Sequence, residues 1–285
     1  MAYANIVDSN NNVIDLYYQD CGQGPTVVLI HGWPLSHRMW EYQINALTEA
    51  SYRCIAYDRR GFGDSEKPWD GYDYDTLADD LEGLLEHLDL TDTTLVGFSM
   101  GGGEVARYLG RHGSKRIRGA VLIGAVPPYM LKTDDNPEGV DQAIFDDMLA
   151  NVKKDRPGFL GGFGKLFVNH EGQAPTLSDE LLAYNQSIAN FASPRATQEC
   201  IKAFGFTDFR QDLERIDVPT LVIHGDDDQI VPLAASGQRS ADMIKGARLE
   251  IVKNGPHGLN FTHAQELNTL PVSYTHLTLP TICSV

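Results

Sequence analysis

The sequence predicts an α/β fold: a mostly parallel sheet of eight strands, helices on both its faces, and a helical insertion late in the chain. Three observations lead there. Short unbroken apolar runs recur along the chain, as strands buried on both faces of a parallel sheet do. Amphipathic helical segments alternate with them, which implies crossover connections and a covered sheet. The alternation lapses between about residues 126 and 211, where prolines and helical periodicity replace strand signals.

The elements follow in order. Residues 13–19 (VIDLYYQ) are rich in β-formers and follow an Asn-rich turn, so a hairpin with residues 3–7 is expected. Residues 26–31 (TVVLIH) are the first continuous apolar run. Residues 53–57 (RCIAY), 93–98 (TTLVGF), 117–123 (IRGAVLI), 219–224 (PTLVIH) and 247–252 (ARLEIV) read the same way. From Tyr74, apolar residues fall at Leu77, Ala78, Leu81, Leu84, Leu85 and Leu88, while Asp79, Asp80, Glu82 and Glu86 take the other face. That spacing predicts an amphipathic helix with a solvated acidic side. A second helix is expected over 101–112, ending at Gly113, and a third over 233–244.

Inside the insertion, helical patterns at about 138–152, 178–191 and 194–204 lie among Pro127, Pro128, Pro137, Pro157, Pro175 and Pro194. The expected organisation is a discontinuous core, residues 1–125 and 212–270, with a helical cap over 126–211. Residues 271–281 (PVSYTHLTLPT) resemble the translation of a sequencing adaptor, and Pro271 cuts a helical pattern through His263, Leu267 and Leu270. Residues 271–285 are therefore expected to be a non-native tail, outside the fold.

Composition narrows the function classes. The chain has 285 residues, of which 23 are basic and 39 acidic, for a net charge of −16. A surface of that sign repels phosphate backbones and anionic lipid, so neither nucleic acid nor membrane is an expected partner. Cys21, Cys54, Cys200 and Cys283 lie far apart, with no C-x-x-C pair. They read as incidental thiols of a reducing compartment. The N-terminus lacks the basic and apolar regions of a signal peptide, and cytoplasmic residence is the expectation.

Gly97-Phe98-Ser99-Met100-Gly101 matches G-x-S-x-G, with a predicted strand before it and a glycine-rich helix start after it. Such a turn holds a serine at the strand's end, and the helix N-terminus aims backbone N–H groups at a developing anion. A nucleophilic serine needs a base, and the base an orienting acid. Of nine histidines, His257 sits on an irregular loop (KNGPHG) after the last predicted strand. Asp226, Asp227 and Asp228 follow strand 219–224; Asp228, at the outer end of the turn, is the one placed to reach the histidine loop. The order Ser99, Asp228, His257 gives the candidate catalytic triad. Oxyanion donors are expected from the N–H groups of Met100 and Trp33, the latter in the His31-Gly32-Trp33-Pro34 loop. His31 reads as structural, and Arg59, in the glycine-bearing DRRGFGDS segment, as a buried scaffold cation. Pro34, Phe159, Phe163, Phe204, Ile230 and Leu259 are candidates to line an apolar acyl pocket.

IHGWPLSHRMWEYQ, DRRGFGDSEKP, LVGFSMGGGEVARY, VIHGDDDQIVP and NGPHGLNFTHAQELN together resemble the α/β-hydrolases of the cofactor-free haloperoxidase and arylesterase branch, over residues 3–270. The resemblance implies the α/β-hydrolase fold and favours Asp228 over Asp226. It implies hydrolysis of small or aryl esters without metal or organic cofactor, a secondary perhydrolysis of carboxylic acids by hydrogen peroxide, and self-association. Pro34 resembles the residue of the haloperoxidase-like members, where its fixed φ would turn the Trp33 carbonyl toward a bound hydroperoxide. A serine at position 99 sets aside dehalogenases and epoxide hydrolases, which need a carboxylate there. Lactonase or γ-lactamase chemistry on the same triad, and a non-catalytic binding role, are the alternatives.

Overall fold

The computed structural model describes residues 2–7, 12–172, 174–175 and 177–269. The adaptor-like segment 271–285 lies outside them. One eight-stranded sheet organises the chain, in the order β1-β2-β4-β3-β5-β6-β7-β8. β1 (Ala2–Val7) and β2 (Val13–Cys21) form the expected antiparallel hairpin, and β2 pairs antiparallel with β4 (Arg53–Tyr57). From β4 onward every pairing is parallel, through β3 (Thr26–Ile30), β5 (Thr93–Phe98), β6 (Ile117–Ile123), β7 (Thr220–Gly225) and β8 (Arg248–Val252). β5 and β7 are buried along their whole length, which is why they read as unbroken apolar runs. β8, at the sheet's edge, alternates charged and apolar residues.

Helices α1 (Glu41–Glu49), α2 (Tyr74–His87) and α3 (Met100–His112) follow β3, β4 and β5. Asp73 caps α2 by accepting from the Thr76 N–H at 3.0 Å. The acidic face of α2 is not wholly solvated: Asp80 is buried and accepts from Arg60 Nε and Nη2, both at 2.6 Å. A buried pair with two short bonds replaces the hydration that the helical periodicity led one to expect.

Between β6 and β7 the chain makes α4 (Gln142–Phe167), α5 (Asp179–Asn190), α6 (Pro194–Phe206) and α7 (Arg210–Arg215). The Phe209 N–H donates to the Pro128 carbonyl at 2.8 Å and Tyr129 bridges Asp208, closing the neck where this segment leaves and rejoins the sheet. α4 is broken at Asp155 (φ −155°, ψ 86°), ahead of Pro157. The Asp155 carboxylate accepts the Gly158 N–H at 3.0 Å and so caps the second half. That half runs well past residue 152, where the sequence pattern stopped. The helix expected over 233–244 is a 3₁₀ turn (Leu233–Ala235) followed by α8 (Gly237–Met243), and α9 (Leu259–Thr262) follows the last strand. Among the described residues no helix is long and apolar enough to cross a membrane.

Candidate active site

β5 ends at Phe98 and α3 begins at Met100, so Ser99 is the whole turn between them. Its backbone sits at φ 53°, ψ −118°. For a residue with a Cβ such a conformation costs about 1–3 kcal/mol and must be imposed by its surroundings. Here the Ser99 N–H donates to the Ile123 carbonyl and the Gly102 N–H to the Ser99 carbonyl, both at 2.9 Å. The flanking glycines are steric necessities. A Cβ at Gly97 would lie 2.4 Å from the Gly101 oxygen, and one at Gly101 would lie 2.3 Å from the Ile30 oxygen.

His257 stands on the loop after β8 and Asp228 on the turn after β7. His257 Nε2 is 2.8 Å from Ser99 Oγ, and its Nδ1 is 2.7 Å from Asp228 Oδ2. A carboxylate only accepts, so Nδ1 carries the proton and the Nε2 lone pair faces the serine hydroxyl. Asp228 Oδ1 accepts the N–H groups of Ile230 at 3.0 Å and Val231 at 2.8 Å. Sequence reasoning passed over His224, a buried strand residue with nothing local to mark it. Its Nε2 lies 2.8 Å from the Val231 oxygen and 3.3 Å from Asp228 Oδ2. Burial alone would raise the Asp228 carboxyl, but the charge of His257 and the hydrogen bonds from His224 and His257 hold it below the usual carboxylate range. The neighbouring aspartates do other work. Asp226 is exposed and caps the Asn254 N–H at 2.6 Å, whereas Asp227 is half-buried and bonds Asn169 of the insertion.

Opposite the histidine lies the loop after β3. A Cβ at Gly32 would meet the Phe98 ring at 2.6 Å and Ser99 Cβ at 3.2 Å, so this loop brushes the Ser99 turn. Neither the Trp33 N–H nor the Met100 N–H donates to a backbone or side-chain acceptor among the described residues. Met100 heads α3, where a helix leaves its first N–H groups unbonded. The Trp33 indole donates to the Thr197 carbonyl of α6 at 3.0 Å, and the Trp33–Pro34 peptide is cis. His31 is buried between fixed partners. Its Nε2 accepts the Arg59 N–H at 3.0 Å and its Nδ1 donates to the Gly32 oxygen at 2.9 Å. Arg59, also buried, donates to the His31 carbonyl at 2.8 Å and to Glu104 of α3 at 2.7 Å.

A cavity of about 460 Å³, counted out to its mouth, opens onto Ser99 and His257. Trp33, Phe163, Phe204 and Ile230 line it, and Ile144, half exposed, stands at the mouth. Three candidate pocket residues lie elsewhere. Phe159 stacks behind Phe163, ring centres 6.1 Å apart, on the next turn of the same helix. Leu259 is fully buried and outside the cavity wall. Pro34 faces an adjoining apolar cleft with Leu160, Phe167 and Leu182. The insertion and the neck supply lining the sequence did not mark, Met130, Val140, Phe145 and Met148 among it. Among the described residues His37, Asp58 and Asp64 form the one grouping with metal-ligand spacing. Asp58 Oδ1 there accepts from the His37 ring at 2.8 Å and its Oδ2 from the Asp64 N–H at 2.8 Å, so the group holds its own loop together.

Comparison with known proteins gives a consistent set. The profile of a family described as alpha/beta hydrolase fold matches residues 25–264. A putative non-heme chloroperoxidase of Synechocystis sp. is 49% identical over 275 residues, covering 96% of this chain and 99% of that protein. A bifunctional esterase/perhydrolase of Acinetobacter calcoaceticus is 38% identical over 260 residues, covering 90% and 94%. Among solved structures, a bromoperoxidase from Bacillus anthracis superposes with a TM-score of 0.93 at 50% identity, covering 96% and 99%.

Proposed function

Because the chain belongs to the alpha/beta hydrolase family, its profile matching residues 25–264, we propose that it is a serine carboxylesterase of small carboxylic and aryl esters with a secondary perhydrolase activity. One observation carries the reading: an unbroken hydrogen-bonded chain from Ser99 Oγ through His257 to Asp228, opening onto an apolar cavity. The names of the relatives, chloroperoxidase and esterase/perhydrolase, support the same pair of reactions.

In the proposed cycle His257 takes the Ser99 proton as Oγ attacks the ester carbonyl, and Asp228 holds the imidazole in the tautomer that accepts it. The Met100 and Trp33 N–H groups stabilise the tetrahedral oxyanion, each by roughly a hundred- to a thousandfold in rate. Water then releases the acid, or hydrogen peroxide releases the peracid. The core of residues 1–125 and 212–270 carries the triad in this reading, and the cap of residues 126–211 shapes the acyl site. Cytoplasmic residence belongs to the proposal and is supported by the free thiols of Cys21, Cys54 and Cys200. Self-association belongs to it too, and sedimentation at graded concentrations reads it.

The deciding experiment is turnover of p-nitrophenyl acetate and butyrate by the wild type and by Ser99→Ala in metal-chelating buffer. A loss of about 10⁴-fold or more is expected. Turnover indifferent to the substitution would reject the nucleophile.

A further inference from the structure

The wall of the Ser99 cavity holds two thioethers, Met130 and Met148, for which ester hydrolysis has no use. Met130 is 3% exposed, on the segment leaving β6, and Met148 is half-buried on α4. Both share the cavity with Ser99 and His257. The other methionines described sit outside it: Met39 and Met100 are fully buried, and Met243 is half-buried at the end of α8. A thioether is the side chain most open to reversible oxygen transfer after the thiol. The buried thiols, with Cys54 and Cys200 both pushed up to about 12 by burial, are protonated and poor nucleophiles.

Resting on the perhydrolase reading, we propose that Met130 and Met148 are modification sites, oxygenated at sulfur by the peracid formed at Ser99 before it leaves the cavity. Ser99 Oγ first displaces water from the carboxylic acid to form the acyl ester; hydrogen peroxide then gives a proton to His257 and attacks the acyl carbon. The C–Oγ bond breaks, and Ser99 Oγ regains that proton from His257. The product carries a weak O–O bond. A methionine sulfur attacks the terminal peracid oxygen, the S–O bond forms as the O–O bond breaks, and the carboxylate leaves with the proton as the free acid. Sulfur is oxidised by two electrons and the peracid reduced by two. Hydrogen peroxide alone does this slowly, because its leaving group is hydroxide rather than carboxylate. The cavity confines the peracid against these two sulfurs, and each sulfoxide puts a polar group into an apolar acyl wall.

The test is peptide mass mapping after incubation with acetate and hydrogen peroxide in halide-free buffer, with peracid followed by bromide oxidation in a parallel sample. One added oxygen is expected on Met130 and on Met148, and none on Met243. None is expected with peroxide alone, or in Ser99→Ala given both reagents. Equal oxidation of Met243 would identify free peracid in solution and overturn the proposal. So would oxidation of the cavity methionines in Ser99→Ala. Peracid formed with Met130 and Met148 intact would overturn this inference alone. An absence of peracid would remove the perhydrolase reading and this inference with it.

Discussion

In the proposed cycle the single atom on which the chemistry turns is the Nδ1 proton of His257. Asp228 Oδ2 accepts it at 2.7 Å, while Oδ1 is occupied by the Ile230 and Val231 N–H groups. In Asp228→Asn the amide oxygen keeps those two backbone bonds, so the turn survives. The amide N–H₂ then faces the ring and favours the tautomer with its proton on Nε2, which cannot accept from Ser99. A fall of about 10⁴-fold in kcat for p-nitrophenyl acetate is expected, with KM little changed. A tenfold loss or less would mean that the carboxylate does not set the tautomer. The wild-type pH profile gives a second reading of the same residue. Asp228 is held below the ordinary carboxylate range, so it is already ionised throughout about pH 5–9. An acid-side fall in rate in that window therefore does not come from this carboxylate.

Elements carry the proposed oxyanion site, because its two expected donors come from different parts of the chain. Trp33 follows β3, Met100 begins α3, and Arg59, in the loop after β4, braces both through the His31 carbonyl and Glu104. Arg59→Met leaves Glu104 buried without its cation, at a cost of about 3–5 kcal/mol in unfolding free energy. Arg59→Met combined with Glu104→Leu should regain part of that stability while kcat stays low, because the His31 carbonyl remains unbraced. Urea unfolding and ester kinetics on the same samples separate the two effects; full recovery of kcat in the double variant would make the brace structural only. The strands that place these loops were legible because burial on both faces leaves a continuous apolar run, as in TTLVGF and TLVIHG. The Ser99 turn was legible because close backbone approach leaves only glycine at positions 97 and 101. The second half of α4 was not. Its sequence, PGFLGGFGKLF, is poor in helix propensity, and packing holds it instead. The Phe163 ring lies against Trp33 with centres 5.2 Å apart, and Phe167 against His257 at 5.3 Å. Pro34 and Leu259 missed the cavity for a related reason. Nearness in sequence to Trp33 and His257 does not fix which side of a wall a side chain faces.

For the whole molecule, the histidine beneath the Trp33 loop couples folding to pH. His31 is fully buried, and burial first, then the Arg59 charge, lower its pKa to about 3. Its Nε2 accepts the Arg59 N–H, so a proton there would displace a backbone bond. In the unfolded chain a histidine titrates near about 6.5. Above that pH neither state is protonated and His31 adds no pH dependence. Below it the unfolded state binds a proton that the folded state refuses, so stability falls as pH drops, until the folded pKa is reached. The slope is about 1.4 kcal/mol per pH unit, or about 2 kcal/mol lost by pH 5. Asp58 works in a separate, more acid window. Burial would raise its carboxyl, but the His37 hydrogen bond and charge hold it low, so its contribution is lost only as the carboxylate itself protonates. Urea unfolding of the wild type and of His31→Gln at pH 7, 6 and 5 tests this. The variant is expected to start less stable and to lose about 1 kcal/mol less per pH unit, since glutamine has no proton to bind. Parallel slopes would place the acid sensitivity elsewhere. A shallower slope would identify His31, which ties the Trp33 loop to Arg59, as a group through which acid loosens the fold.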